Sequence, residues 1–282
     1  MTPRLRWLPP CTLSGAWQMA IDAWLLERIA AGEREGPVLR LYRWSQPTLS
    51  LGKHQRVLEE RWLRLVRMGR LVLVRRPTGG SAVLHGGDIT YALVWPNPPR
   101  QRREAYRLCC QWLREAFAAM GQPLRFGDAP ATAGQPNCFA SSTAADLVHH
   151  DGVKRIGSAQ LWRGGALLQH GSVQLDPDGD LWRAVFDEPP PGLAALPLRG
   201  NALEAHLVEA ALRWLPGAGL AAKADPPPAA SLLCDPLTPQ EWLAIGSSLD
   251  TQDVGDWAAV DSAPFSVSAS TRAVDPRGNP KG

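Results

Sequence analysis

At 282 residues, 45% of them hydrophobic, the chain is long enough for one large domain, or one with a small appendage, around a full core. A net charge of +3 is too mild for general nucleic-acid affinity, though it suits acidic protein partners. No apolar run approaches the ~18 residues of a membrane span. No charged-then-apolar leader opens the sequence, and five cysteines without framework spacing fit a reducing cytoplasm, so a cytoplasmic protein is expected.

In chain order, Leu13-Ser14-Gly15 leads into a helix predicted over Ala16 to Ala31 and stopped by Gly32. Val38 to Trp44 and Thr48 to Leu51 read as strands around a Ser45-Gln46-Pro47 turn. A helix is expected from Leu58 to Met68, closed by Gly69, and a buried strand from Leu71 to Val74. Ala82 to Trp95 is predicted to form a hairpin around His85-Gly86-Gly87-Asp88. Glu104 to Met120 has apolar residues three and four apart and reads as a helix ending at Gly121.

From Leu124 the pattern returns to short strands, and Ala129 to Asn137 is a small-residue loop leading to Cys138. Asp146 to Val148, Val153 to Leu161 and Ala166 to Leu175 read as a three-stranded meander. Its turns are Asp151-Gly152 and Arg163-Gly164-Gly165. Asp180 to Phe186 and Asn201 to Leu215 are helical in pattern. Residues 1–222 are expected to form the main domain. Residues 223–282 then form a Pro-rich appendage with one helix near Pro239 and a poorly ordered tail after Asp253. Hairpin strands with helices in blocks argue an α+β fold, with a mostly antiparallel mixed sheet flanked by helices.

The residues that bear chemistry fall in a few stretches. Arg75-Arg76-Pro77-Thr78-Gly79-Gly80 places two cations at a strand end, beside backbone that a ligand can approach closely. The GKS or GKT of a Walker loop is missing, and a solvated surface turn is an equal reading of these residues alone. Cys138 sits in a loop, unlike Cys109 and Cys110 in a helix. A loop thiol is either a small buried hydrophobe or a nucleophile able to carry an acyl group. Lys154 opens a strand whose alternation puts Lys154, Ile156, Ser158 and Gln160 on one face. His85 and His170 are either bases or structural turn histidines, and no spacing of His and Cys supports a metal site.

Taken together, four ordered segments carry a resemblance. These are the Arg75–His85 pattern, Met19 to Glu27 as an opening helix, Gly52-Lys53-His54-Gln55 as a G-x-x-Q turn, and the set Cys138-Phe139, Lys154 to Gln160 and Gln169-His170-Gly171-Ser172. Over about residues 12 to 190 the chain resembles the lipoate–protein ligase and octanoyltransferase superfamily, related in fold to biotin protein ligases. Within it the chain looks like the octanoyltransferase branch of LipM type. The N-P-C-G context of the LipB branch is absent after His170.

The resemblance implies a biotin/lipoate protein ligase-like catalytic domain in which Cys138 is the nucleophile and Lys154 acts at the acyl carbonyl. Arg75, Arg76, Gly79, Gly80, His85, Gly157, Ser158, Ala159 and His170 would then bind substrate. It also implies transfer of an octanoyl group from acyl carrier protein to a lysine of a lipoyl domain of a 2-oxoacid dehydrogenase, or of glycine-cleavage H protein, without a cofactor. The alternative is an ATP-dependent lipoate–protein ligase, with ATP and magnesium, in which Cys138 is incidental. A non-catalytic member that only binds an acyl-carrier partner is a third reading. The stretch from Pro189 to Lys223 matches no motif of the family.

Overall fold

A computed structural model describes residues 5–128, 137–139, 143, 145–215 and 234–249, and the backbone of 267–268. Residues 129–136 of the small-residue loop, 223–233 of the appendage and all but two residues of the expected tail lie outside it. The elements are β1 (Arg6–Leu13), α1 (Gly15–Ala30), β2 (Val38–Trp44), β3 (Thr48–Leu51), β4 (Leu58–Glu59), α2 (Glu60–Arg67), β5 (Val72–Arg75), β6 (Val83–His85) and β7 (Asp88–Pro96). They continue with α3 (Arg102–Ala119), β8 (Arg125–Phe126), β9 (Leu147–Val148), β10 (Lys154–Arg163), β11 (Ala166–Gln174), α4 (Gly179–Phe186), α5 (Gly200–Trp214), α6 (Pro239–Leu249) and β12 (Val267–Ser268).

Seven strands form one sheet in the order β1-β2-β7-β11-β10-β9-β8, antiparallel except for the β1–β2 pair. Period-two alternation in its central strands serves two helical layers. Leu39 and Leu41 of β2, and Ile89, Tyr91 and Leu93 of β7, pack with Cys109, Trp112, Leu113 and Phe117 of α3 and with Leu203 and Leu207 of α5. Their neighbours Val38, Tyr42, Ala92 and Val94 face Met19, Ile21, Leu25 and Leu26 of α1. The chain is thus α+β with a large mixed sheet between helices, as its sequence pattern predicts.

A second sheet, β5-β3-β6, is covered by α2 and α4 through Leu49, Leu73, Trp62 and Trp182. The α6 helix lies on α1, with Ile245 buried and Trp242 edge-on to Trp17 at 5.7 Å. Arg6 of β1 grips Glu241 of α6 with two bonds, of 2.7 and 2.9 Å.

Three features differ from the sequence expectations. Val83–His85 and Asp88–Pro96 are not a hairpin. The first strand pairs with β3 and the second with β2 and β11, so the turn crosses between sheets. Gly86 takes φ +139 there, and a Cβ at Gly87 would stand 2.1 Å from the Asp176 carbonyl, a corner no side chain fits. Secondly, residues 6–13, for which no element is predicted, form a strand that contains Pro9-Pro10. It lies at the sheet edge, where missing N–H groups are tolerated, and its register slips between Leu8 and Cys11. Thirdly, the predicted Leu58 helix begins at Glu60, because Leu58–Glu59 extends and pairs with Val267–Ser268.

Candidate active site

The two sheets meet around Cys138. Asn137 bridges to Ala82, just before β6, and the Cys138 N–H donates to the Ala82 carbonyl at 3.0 Å. The Asn137 side chain receives the Phe139 N–H at 2.8 Å, which tightens the chain directly after the cysteine. Cys138 is half-buried, whereas Cys109 and Cys110 are wholly buried in α3. Burial raises both α3 thiols, Cys110 to about 12, so neither is a ready nucleophile at neutral pH.

Lys154 comes from the first residue of β10. A register shift between Lys154 and Ile156 breaks the alternation expected there. Ile156 enters the α3 core, while the Lys154 stem lies beside Gly157, whose added Cβ would stand 3.0 Å from Cε. The buried Nζ donates to the Cys138 carbonyl at 2.6 Å, approaches Cys138 Sγ at 3.6 Å and pairs with Asp146 Oδ2 at 3.1 Å. It also stands 4.9 Å from the centre of the Phe139 ring. A half-buried thiol and a held cation therefore share one point.

Two cavities open at that point. The inner one encloses about 470 Å³ of empty space including its mouth, and is bounded by Met19, Trp44, Val83, Gly157, Ala159 and Gly171 among others. Its lining is mostly apolar, as an acyl chain requires. The outer one is bordered by Tyr106, Asn137, Asp146, Lys154 and Gln160. Gly79, Gly80, Cys138, Ser158 and Ala159 border both, which puts the thiol at the junction.

Both predicted histidines line the inner cavity, and each is held by a buried carboxylate. His85 Nδ1–H donates to Asp88 Oδ2 at 2.8 Å, its Nε2 shares a hydrogen bond with Ser50 Oγ at 2.9 Å, and the ring stacks on Trp44 at 4.0 Å. His170 Nδ1–H donates to Asp22 Oδ2 at 3.0 Å, and its Nε2 shares a hydrogen bond with Thr78 Oγ1 at 2.6 Å. Burial alone would raise the Asp88 carboxyl, but His85, Ser172 and the Gly86 N–H outweigh it and hold it below the ordinary carboxylate range. Asp22 in turn takes Arg40 at 2.8 Å and Tyr42 Oη at 2.9 Å.

The arginine pair divides. Arg76, Gly79 and Gly80 border the inner cavity, whereas Arg75 turns away and donates to the Gly52 and Gln55 carbonyls at 2.8 and 2.7 Å. Arg76 is buried and donates to the Ser50, Gly79 and Ser81 carbonyls at 2.8, 2.8 and 2.7 Å. Burial pushes its guanidinium down from its usual range, and nearby Cys138 partly offsets this. These two side chains chiefly brace the loop, and the G-x-x-Q turn locks onto it, since a Cβ at Gly52 would lie 1.8 Å from the Gly80 carbonyl.

The site also contains residues that had no role in the sequence reading. Asp22 is a lone acid on the buried side of an apolar helix, a signal that was available. Asp88 lies three residues after its partner His85, a spacing that was also available, whereas Asp146 carries no local signal.

Residues 14–194 match the family model of the lipoyl protein ligase A/B catalytic domain. The protein named octanoyltransferase LipM of Halalkalibacterium halodurans is 37% identical over 187 residues, covering 62% of this chain and 67% of that protein. The protein of the same name from Staphylococcus aureus is 38% identical over 177 residues, covering 58% and 63%. The matched segment thus spans roughly two thirds of those relatives. In fold, the bi-partite lipoate protein ligase of Thermoplasma acidophilum aligns with TM-score 0.66 at 19% identity, over 91% of this chain and 96% of that one. A lipoate-protein ligase A bound with ATP aligns with TM-score 0.68 at 20% identity, over 89% and 95%. With that family model matching more than half of its length, the chain belongs to the lipoyl protein ligase A/B catalytic domain family.

Proposed function

We infer that this protein is an octanoyltransferase of lipoate biosynthesis that works through a Cys138 thioester. The observation that carries this reading is the Lys154 ammonium, 3.6 Å from Cys138 Sγ where a mostly apolar inner cavity meets an outer one bordered by Asp146 and Lys154. The donor is octanoyl-acyl carrier protein, with its octanoyl chain in the inner cavity and its thioester at the junction. Cys138 Sγ, as thiolate, attacks the donor carbonyl, and the resulting oxyanion lies within reach of Lys154. Collapse breaks the bond to the carrier's sulfur, which leaves as a thiolate and takes up a proton. The acceptor lysine, on a lipoyl domain of a 2-oxoacid dehydrogenase or on glycine-cleavage H protein, then attacks octanoyl-Cys138 as a free amine. The amide forms, the amine loses its proton and the Cys138 thiolate is restored.

A donor that is already activated needs neither ATP nor magnesium, so no cofactor is assigned. A thiol that must return reduced after every turnover suits a reducing compartment such as the cytoplasm.

The test is to incubate the protein with octanoyl-acyl carrier protein without acceptor, then with an apo lipoyl domain and no nucleotide. A hydroxylamine-labile octanoyl mass on Cys138, followed by transfer, is expected. Cys138→Ala should cost several orders of magnitude in rate. Modification only from free octanoate or lipoate with ATP and magnesium, surviving Cys138→Ala, would assign the protein as a ligase.

A further inference from the structure

Lys154 is a long, flexible cation, and nothing in its own stem fixes where its ammonium rests. Its surroundings do. Gly157 flanks Cε on one side, the Phe139 ring stands near Nζ, and Asp146 supplies a buried carboxylate 3.1 Å from Nζ. The same Asp146 oxygen accepts from the Thr143 N–H at 2.7 Å and from Thr143 Oγ1 at 3.0 Å, while the Asp146 N–H donates back to the Thr143 carbonyl at 2.9 Å. One oxygen therefore ties the catalytic strand to the chain that follows Cys138. The side chains of Lys154 and Asp146 are only 3% and 5% exposed, yet both border the outer cavity through which an acceptor amine would arrive.

We propose that Asp146 is a positioning residue, which acts through Lys154 by holding its Nζ between the Cys138 carbonyl and Cys138 Sγ. This rests on the reading of Cys138 as nucleophile. With Asp146 gone, the ammonium loses its buried counter-charge and keeps the Cys138 carbonyl as acceptor, so its position relative to Sγ shifts. Attack then proceeds without a fixed charge at the developing oxyanion. A residue that only stabilised the fold would lower the amount of folded protein without changing how the remaining sulfur reacts.

The experiment is a double-mutant cycle of Asp146→Asn, Lys154→Met and the pair, with two readouts on folded protein. Asparagine keeps the size of the side chain and an acceptor for Thr143. The first readout is the rate at which octanoyl-acyl carrier protein loads Cys138. The second is alkylation of Cys138 by iodoacetamide, followed on the Cys138 peptide by mass, which needs no octanoyl donor. Asp146→Asn should slow loading by about 10- to 100-fold in kcat with KM for the donor little changed, the scale of a misplaced catalytic group. It should slow alkylation as well. In the Lys154→Met background it should slow neither by more than about twofold, since residues that act as a unit do not add. Wild-type rates for Asp146→Asn, or equal losses in both backgrounds, would overturn the proposal. If the wild-type protein never loads octanoate but the alkylation cycle shows the coupling, the positioning role stands and the octanoyltransferase reading falls.

Discussion

Asp22→Ala tests the interior of the site most severely. The Asp22 carboxylate is fully buried and receives the Arg40 guanidinium at 2.8 Å, the Tyr42 hydroxyl at 2.9 Å and the His170 ring at 3.0 Å. Arg40 is 2% exposed in its side chain. Burial would lower its pKa, but Asp22 and the Tyr42 ring, 4.1 Å away, hold it above its ordinary value. Alanine removes the counter-charge and leaves Arg40 with hydrogen bonds to Gln18 and Cys11 and its contact with the Tyr42 ring. Breaking a buried pair by removing one partner costs about 3–5 kcal/mol. The Tyr42 and His170 donors lose their acceptor in the same step, so the loss should not fall below that range. Against a total stability of roughly 5–15 kcal/mol this is a large fraction. Asp22→Asn keeps an acceptor but not the charge and should cost less, about 1.5–3 kcal/mol. The measurement is denaturant unfolding followed by fluorescence of the 12 tryptophans, comparing midpoints at unchanged slope. A loss below about 1 kcal/mol for the alanine variant would refute the account of Asp22 as a buried hub, whatever happened to activity.

Other outcomes follow from the same geometry. Lys154→Ala should lower octanoyl transfer per folded molecule by about 100- to 1,000-fold, the cost of one preorganised donor at a developing oxyanion, and near-normal turnover would return Lys154 to a structural role. Gly171→Ala should destabilise the fold by about 1–3 kcal/mol in unfolding experiments, because its Cβ would meet Tyr91 Cε1 at 2.6 Å and the Gly157 carbonyl at 2.7 Å. The Asp88 carboxyl is held below its unfolded value, so its contribution is present above the ordinary carboxylate range and lost as pH falls through the lower folded value. Wild-type protein should therefore lose more stability on acidification than Asp88→Asn does. Parallel acid titration curves for the two would refute this.

Much of the fold was legible because its signals are local. Strand limits at Val38–Trp44 and Thr48–Leu51 follow from β-branched and aromatic runs bounded by Pro37 and the Ser45-Gln46-Pro47 turn. The helices ending at Gly32, Gly69 and Gly121 stop where a glycine takes positive φ. The partner of a strand is another matter. Val83–His85 and Asp88–Pro96 have the pattern of a hairpin, yet pairing is decided by which surface each strand can bury. Here Leu84 belongs to the core of α2 and α4, and Ile89, Tyr91 and Leu93 to that of α3. Nothing within fourteen residues of sequence carries that choice. The strand over residues 6–13 was not predicted, because a strand's tolerance for Pro9-Pro10 depends on whether a neighbour needs its N–H groups, and an edge position is set by the whole sheet.

The site divides along the same line. Groups whose role depends on backbone shape are visible as motifs, which is why Gly79, Gly80, Gly157 and Cys138 could be named from spacing and resemblance and are found around one cavity. Charges whose role depends on a distant partner are not visible. Asp22 meets His170 across 148 positions, and Thr78 meets the same ring across 92. The arginine pair shows the converse case, since a cation beside glycines looks ready for an anion while these side chains also donate to loop carbonyls, with Arg76 still bordering the inner cavity. Glycine loops expose carbonyls as freely as N–H groups, so an adjacent arginine is as well placed to brace such a loop as to bind through it. A cation in a motif can therefore be assigned to ligand binding only after its bonds to nearby carbonyls and its distance from the thiol have been weighed together. By that criterion Lys154, 3.6 Å from Cys138 Sγ, is a stronger candidate than Arg75, which donates to the Gly52 and Gln55 carbonyls.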